Sequence, residues 1–241
     1  MSKLKKLFSK KNIAIITCYD ATFASFLSHA GCDALLVGDS LGVLIKGQQS
    51  TREVELSEVI YHTKCVRRGA SDMPIISDMP INSFPNRKVA LKNAKLLIEA
   101  GADIVKIEGD DGILEIIKHL TDHKVPVCGH IGSMPQINKI QKIVSKDLLK
   151  KAISLENAGV KMLVMSKTSA ANDKNITGRL SIPTISFRSS SFCDGEVELL
   201  YDLVGITLAS LSNNKNNKIL PSNIFNKLEK FIKKNHNHKA K

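Results

Sequence analysis

The chain has 241 residues, 43% hydrophobic and 24% charged, a composition that fits one large soluble domain with ample material for a core. Its net charge of +12 lies at the two ends, +5 in residues 1–12 and +7 in residues 215–241, with residues 13–214 neutral overall. This reads as lysine-rich solvated ends rather than a nucleic-acid surface, which would interleave aromatic residues with the basic ones.

Short apolar runs recur in chain order at 13–18, 33–38, 74–78, 103–108, 125–129, 161–165, 182–187 and 196–201. Each reads as a strand, and the near-continuous apolar character fits parallel strands covered by helices. Between them, Glu53–Gly69, Arg87–Ala100 and Lys146–Ala158 carry apolar residues at helical spacing. Ala-Gly precedes three of the strands (Ala30-Gly31, Ala100-Gly101, Ala158-Gly159), and a Pro stands at or near the start of three (Pro74, Pro126, Pro183). Eight strands alternating with helices predict a (β/α)₈ barrel. An open doubly wound sheet is the structural alternative, but no Gly-x-Gly-x-x-Gly phosphate loop supports it. The expected organisation is a basic segment over 1–12, a barrel over 13–211 and a Lys/Asn-rich tail with a short helix over 212–241.

No apolar run approaches the roughly 18 residues of a membrane span. The basic N-terminus is not followed by a signal-peptide core before Asp20. The five scattered cysteines form no Cys-x-x-Cys pair and read as buried thiols rather than a disulfide framework or zinc site. These features predict a cytoplasmic protein with neither nucleic acid nor membrane as partner.

Most of the apolar runs end in a group able to bind a metal or move a proton, as a barrel needs at the C-terminal ends of its strands. Asp39-Ser40 follows the second strand and Asp78 ends the third; Lys106 and Glu108 share one face of the fourth, and His130 follows the fifth. Three carboxylates at neighbouring strand ends repel one another unless a cation joins them, and oxygen-only ligation favours Mg²⁺. Lys106 and His130 are donors for an anionic or carbonyl substrate. Asp20, at the end of the first strand, suits the site or a helix N-cap equally, and Tyr61 and His62 read as packing and surface residues on a helix.

The stretches Ile16-Thr-Cys-Tyr-Asp-Ala, Leu36-Val-Gly-Asp-Ser-Leu-Gly, Val59-Ile-Tyr-His-Thr, Val66-Arg-Arg-Gly-Ala, Val105-Lys-Ile-Glu-Gly, Gly129-His-Ile-Gly-Ser-Met-Pro-Gln and Cys193-Asp-Gly, in that order, resemble the ketopantoate hydroxymethyltransferase (3-methyl-2-oxobutanoate hydroxymethyltransferase) family from about Ile13 to Gly205. The resemblance implies a phosphoenolpyruvate-mutase-like barrel and a homo-oligomer that binds Mg²⁺ and an α-keto acid. It also implies 5,10-methylenetetrahydrofolate as the one-carbon donor. It casts Asp39 and Asp78 as metal ligands, with Glu108 near the metal directly or through water. Ser40 would hold the keto-acid carboxylate, and Lys106 and His130 its other oxygens.

The chain departs from the family at the position of its general base. The family's glutamate at the end of the sixth strand is Ser166 here, in Leu163-Val-Met-Ser-Lys. A serine hydroxyl is a poor base, and loss of a positioned base costs about 10²- to 10⁴-fold. Lys167 is adjacent, but side-chain alternation turns it away. The loop over Ile137–Ser145 lacks glycine, and the glycine-rich turn after the seventh strand is Ser186-Phe-Arg-Ser-Ser-Ser, where bulkier residues would restrict close approach. Three functions fit this pattern: a working hydroxymethyltransferase with another base, an impaired homologue acting by keto-acid or metal binding or by assembly, and another metal-dependent keto-acid lyase or mutase.

Overall fold

A computed structural model describes residues 3–109, 112–133 and 145–206. The chain divides into two compact units, residues 1–198 and 199–241. In the first unit the order is α1 (Lys3–Phe8), β1 (Ile13–Thr17), α2 (Ala21–Ala30), β2 (Ala34–Val37), α3 (Leu41–Leu44), α4 (Leu56–Gly69), β3 (Ile75–Asp78), α5 (Arg87–Glu99), β4 (Ile104–Ile107), α6 (Ile113–Asp122), β5 (Val127–Gly132), α7 (Ser145–Asn157), β6 (Met162–Ser166), α8 (Ala170–Thr177), β7 (Thr184–Phe187) and β8 (Gly195–Glu198). Two 3₁₀ turns, Thr51–Glu53 and Ile81–Ser83, precede α4 and α5. In the second unit, α9 (Leu200–Leu203) begins after Leu199 and closes at Val204. The expected tail over 212–241 lies outside the described residues.

The eight strands form a closed parallel barrel in sequence order, the (β/α)₈ architecture that the strand count predicts. The eighth strand is shorter than the apolar run suggested, ending at Glu198 because the leucines and tyrosine that follow enter a helical turn. At the closing seam β8 lies so close to β1 that a Cβ on Gly195 would meet the Ile13 carbonyl oxygen at 2.4 Å, so only glycine fits there.

The punctuation between elements acts as its chemistry dictates. Gly31, Gly101 and Gly159 all take left-handed φ (88°, 114° and 94°) and end the helices before β2, β4 and β6. Pro74, Pro126 and Pro183 lack an N–H, yet each gives its carbonyl to the preceding strand in the barrel, accepting from Leu35, Val105 and Leu163.

The apolar core fills the lower part of the barrel, with Ile13, Ile15, Ala34, Leu36, Ile76, Ile104, Cys128, Met162, Val164, Ile185 and Val197 facing inward. Helix α1 closes it from below: Leu7 joins this cluster at 3% exposure, and Leu4 and Phe8 pack against it. The reading of residues 1–12 as a solvated end is corrected here. Lys3 pairs with Asp103 at 2.9 Å, Lys10 with Asp33, and Lys11 with Asp194. The same aspartates accept from the first amides of neighbouring strands, Asp33 from Ala14, Asp103 from Ile75 and Asp194 from Thr184. The basic segment is therefore charge-matched to a ring of acids at the bottom of the barrel.

Leu7→Ala should lower stability by about 3 kcal/mol, since it removes buried methyl groups and opens a cavity where the barrel floor is sealed. A denaturant titration checks it, and a shift under 1 kcal/mol would mean that α1 is not part of the core.

Candidate functional site

Two residues beyond the core side chains of five strands, the same inward face of the barrel turns polar. Above Ile15 stands Thr17; above Ile76, Asp78; above Ile104, Lys106; above Cys128, His130; above Val164, Ser166. All five are buried, as is Glu108 one step above Lys106. Five polar side chains from five strands thus form one layer at the C-terminal mouth, where barrels of this kind place their chemistry.

The layer is tied together by charge. Lys106 Nζ lies 2.7 Å from Asp78 Oδ1, with both side chains under 10% exposed. Asp78 Oδ2 accepts from the Asp39 amide at 3.0 Å, which fixes the carboxylate against the turn after β2. A Cβ on Gly38 would meet Ser40 Oγ at 2.9 Å, so glycine keeps this turn close to Asp78. Burial works against the Lys106 charge, but Asp78, Glu108 and Asp39 together outweigh it and hold the ammonium above the usual lysine range. One step above Lys106, Glu108 Oε2 is hydrogen-bonded to Nδ1 of His130 on the adjacent strand β5. The other ring nitrogen, Nε2, is buried and meets no hydrogen-bond partner among the described residues.

This grouping differs from the three-carboxylate metal set that the strand ends suggested. Among the described residues no three His, Cys, Asp or Glu side chains come together as a metal cage. Asp39 and Asp78 adjoin one another, whereas Glu108 gives a carboxylate oxygen to His130. Two hard carboxylates beside an open mouth suit an ion that keeps several waters and completes its shell with substrate, the habit of Mg²⁺.

Ser40, at the N-terminus of α3, has its hydroxyl 2.7 Å from the Tyr19 phenol, which also bonds Thr17. Burial pushes the Tyr19 phenol well above its ordinary range, so it stays protonated. No site role was assigned to Thr17 or Tyr19 from sequence, although both lie within the Ile16–Ala21 motif and occupy alternate positions on β1 and its extension. Asp20 proves to be an N-cap, accepting from the Phe23 amide. His62 braces this arrangement from behind, its Nδ1–H donating to the Tyr19 carbonyl oxygen at 2.7 Å, while Tyr61 is exposed.

All five cysteines are free. Cys18 and Cys128 are buried, and burial pushes each thiol up to about 12, so neither supplies a thiolate near neutrality. Cys32, Cys65 and Cys193 are only half-buried.

Ser166 ends β6 in register with Gly132 of β5, and Lys167, exposed, takes a left-handed φ of 51° just past the strand. The loops after β6 and β7 are joined by Asp173 on α8, a fully buried carboxylate that sequence reasoning did not single out. It accepts from the Ser190 amide at 3.0 Å, from the Ser190 and Ser189 hydroxyls at 2.5 and 2.7 Å, and from the Thr168 hydroxyl. Arg188 takes a left-handed φ of 50° in this turn, a conformation that side chains other than glycine rarely adopt. The other altered loop, Ile137–Ser145, falls almost wholly outside the described residues.

The sequence profile of the ketopantoate hydroxymethyltransferase family matches residues 1–238. The chain is 46% identical over 215 residues to the 3-methyl-2-oxobutanoate hydroxymethyltransferase of Wigglesworthia glossinidia brevipalpis, covering 86% of this chain and 80% of that one. The protein of the same name from Nitrosomonas eutropha is 45% identical over 219 residues, covering 86% and 81%. That of Buchnera aphidicola subsp. Acyrthosiphon pisum is 38% identical over 234 residues, covering 93% and 89%.

Among solved structures, 2,3-dimethylmalate lyase, a member of the PEP mutase/isocitrate lyase superfamily, superposes with a TM-score of 0.70 at 13% identity, over 98% of this chain and 96% of that one. Phosphonopyruvate hydrolase in complex with oxalate and Mg²⁺ gives 0.69 at 12% identity, over 84% and 82%. These distant structures share the barrel fold. With a family profile spanning nearly all of its length and relatives approaching half identity, this enzyme belongs to the ketopantoate hydroxymethyltransferase family.

Proposed function

We propose that the protein transfers a hydroxymethyl group from 5,10-methylenetetrahydrofolate to 3-methyl-2-oxobutanoate, giving 2-dehydropantoate, with Mg²⁺ as cofactor. The observation that carries this reading is the Asp39–Asp78–Lys106 cluster at the mouth, two carboxylates beside a fixed ammonium, in a chain of this family. Asp39 and Asp78 would hold the cation; the structure of phosphonopyruvate hydrolase, which shares the fold, is in complex with oxalate and Mg²⁺, in keeping with this reading. When bound, the ion supplies Lewis acidity to the keto-acid oxygens.

The chain's own residues do the rest. Ser40, steadied by Tyr19, donates to the substrate carboxylate. Lys106, held protonated, donates to the ketone oxygen as negative charge builds there, and its pairing with Asp78 fixes its position before substrate arrives. His130 stands on β5, beside the β4 strand that carries Lys106, with one nitrogen held by Glu108.

The reading predicts that NMR of the protein with 3-methyl-2-oxobutanoate, methylenetetrahydrofolate and Mg²⁺ will show 2-dehydropantoate, and that chelation will stop it. No product above background, with the keto acid still bound, would favour the second reading, an impaired homologue that works by binding. Ser166 at the family's base position is the observation behind that second reading.

A further inference from the structure

We infer that His130 Nε2 is the base that removes the C3 proton of the keto acid in this chain, in place of the glutamate that Ser166 replaces; this rests on the hydroxymethyltransferase reading above. An ionised carboxylate only accepts hydrogen bonds, so the contact with Glu108 places the imidazole proton on Nδ1 and leaves Nε2 with a free lone pair. That nitrogen is buried, faces the inside of the barrel above Cys128, and has no hydrogen-bond partner among the described residues. A buried polar atom without a partner is rare and marks a place where a ligand group belongs.

The other groups of the layer are committed elsewhere. Asp78 uses both oxygens, on Lys106 and on the Asp39 amide. Lys106 Nζ is bonded to Asp78, and the Tyr19 phenol to Ser40. His130 is also in the right place to inherit the role. It pairs with Val164 in the sheet register, and Ser166 lies two residues further along the same face of β6. Ordinary strand spacing and rise put the two positions about 8 Å apart, within reach of one small substrate.

The step balances. The C3–H bond breaks and its proton passes to Nε2. The bonding pair forms the C2–C3 double bond, and the former carbonyl π pair settles on the ketone oxygen beside Lys106. The imidazolium so formed keeps its Nδ1–H on Glu108, whose negative charge offsets it. Glu108 is thus a positioning residue that fixes the tautomer and steadies the charged ring.

The test separates this step from the folate half of the reaction. The protein is incubated in D₂O with Mg²⁺ and 3-methyl-2-oxobutanoate, without folate, and loss of the C3 proton signal is followed by ¹H NMR. The unmodified chain should exchange that proton. His130→Gln, whose amide still donates to Glu108, should exchange it about 10²-fold more slowly while keto-acid binding by calorimetry changes by only a few-fold. Adding Ser166→Glu to the His130→Gln chain should restore exchange, a rescue that a purely structural role for His130 would not give.

Exchange by His130→Gln within about three-fold of the unmodified chain, or failure of the double variant to recover, overturns the inference. So does an unmodified chain that forms hydroxymethylated product with folate present yet exchanges nothing. Exchange that depends on His130 with no product when folate is added would instead sustain His130 and remove the folate reaction.

Discussion

Asp78→Ala should destabilise the protein by about 3 kcal/mol, because it leaves the buried Lys106 ammonium without its hydrogen-bonded counter-ion. For a chain of this length that is a fall in Tm on the order of 10 °C. Both side chains of the pair are nearly inaccessible, so solvent screens the interaction little. Replacing both partners, as Asp78→Leu with Lys106→Met, should recover most of the loss, since a buried ion pair roughly balances its own desolvation. Thermal melts of the two variants and the unmodified chain check this, and a double variant as unstable as Asp78→Ala would show that the site holds more than a pair. Both variants should lack hydroxymethyltransferase activity.

The pH dependence has a definite sign. The Lys106 group is raised above its unfolded value when the protein folds, so its contribution is complete below about pH 10, where free lysine titrates, and fades only as pH climbs through the still higher folded value. Between pH 6 and 9 this pair contributes no slope to stability.

The second large effect is expected at Asp173. Asp173→Ala removes the acceptor of one amide and three hydroxyls at a fully buried position, which should cost about 3 kcal/mol. It should also release the turn that Arg188 holds in a left-handed conformation. Amide hydrogen exchange at Ser190 should then rise by at least about 10²-fold, following the lost local stability. Unchanged protection at Ser190 together with an unchanged melt would show that the hydroxyls repack around the gap. Asp173→Asn, which keeps one acceptor oxygen, should fall between the two.

Much of this architecture was legible in the chain because it depends on local chemistry. An Ala-Gly before a strand or a proline at its start acts within one turn of backbone, and all six such signals stand where the elements change. The upper polar layer was legible too, since Asp78, Lys106 and His130 follow from period-two alternation once the strands are placed.

What escaped depends on distant partners. Helix α1 has only six residues, too few to show a period, and Lys3 in it, with Lys10 and Lys11 just beyond it, meets aspartates that precede β4, β2 and β8. Asp173 looked like one polar residue in a weakly amphipathic helix until the following βα loop brought Ser189 and Ser190 to it. Strand ends revealed that Glu108 and His130 both face the mouth, but not that they face each other. That preference decides whether Glu108 serves a cation or an imidazole.

The vertical separation inside the barrel bears on how such a chain changes over time. Side chains that hold the fold together occupy the lower rungs of the strands, and those that handle protons occupy the rung above. A substitution on the upper rung therefore alters reactivity while leaving most of the packing in place. Selection for an abundant, folded product and selection for turnover act on different positions of the same strand. Serine at position 166 is the kind of change this arrangement admits: the barrel stays closed beneath it, and a neighbouring imidazole on β5 stands close enough to take up the work.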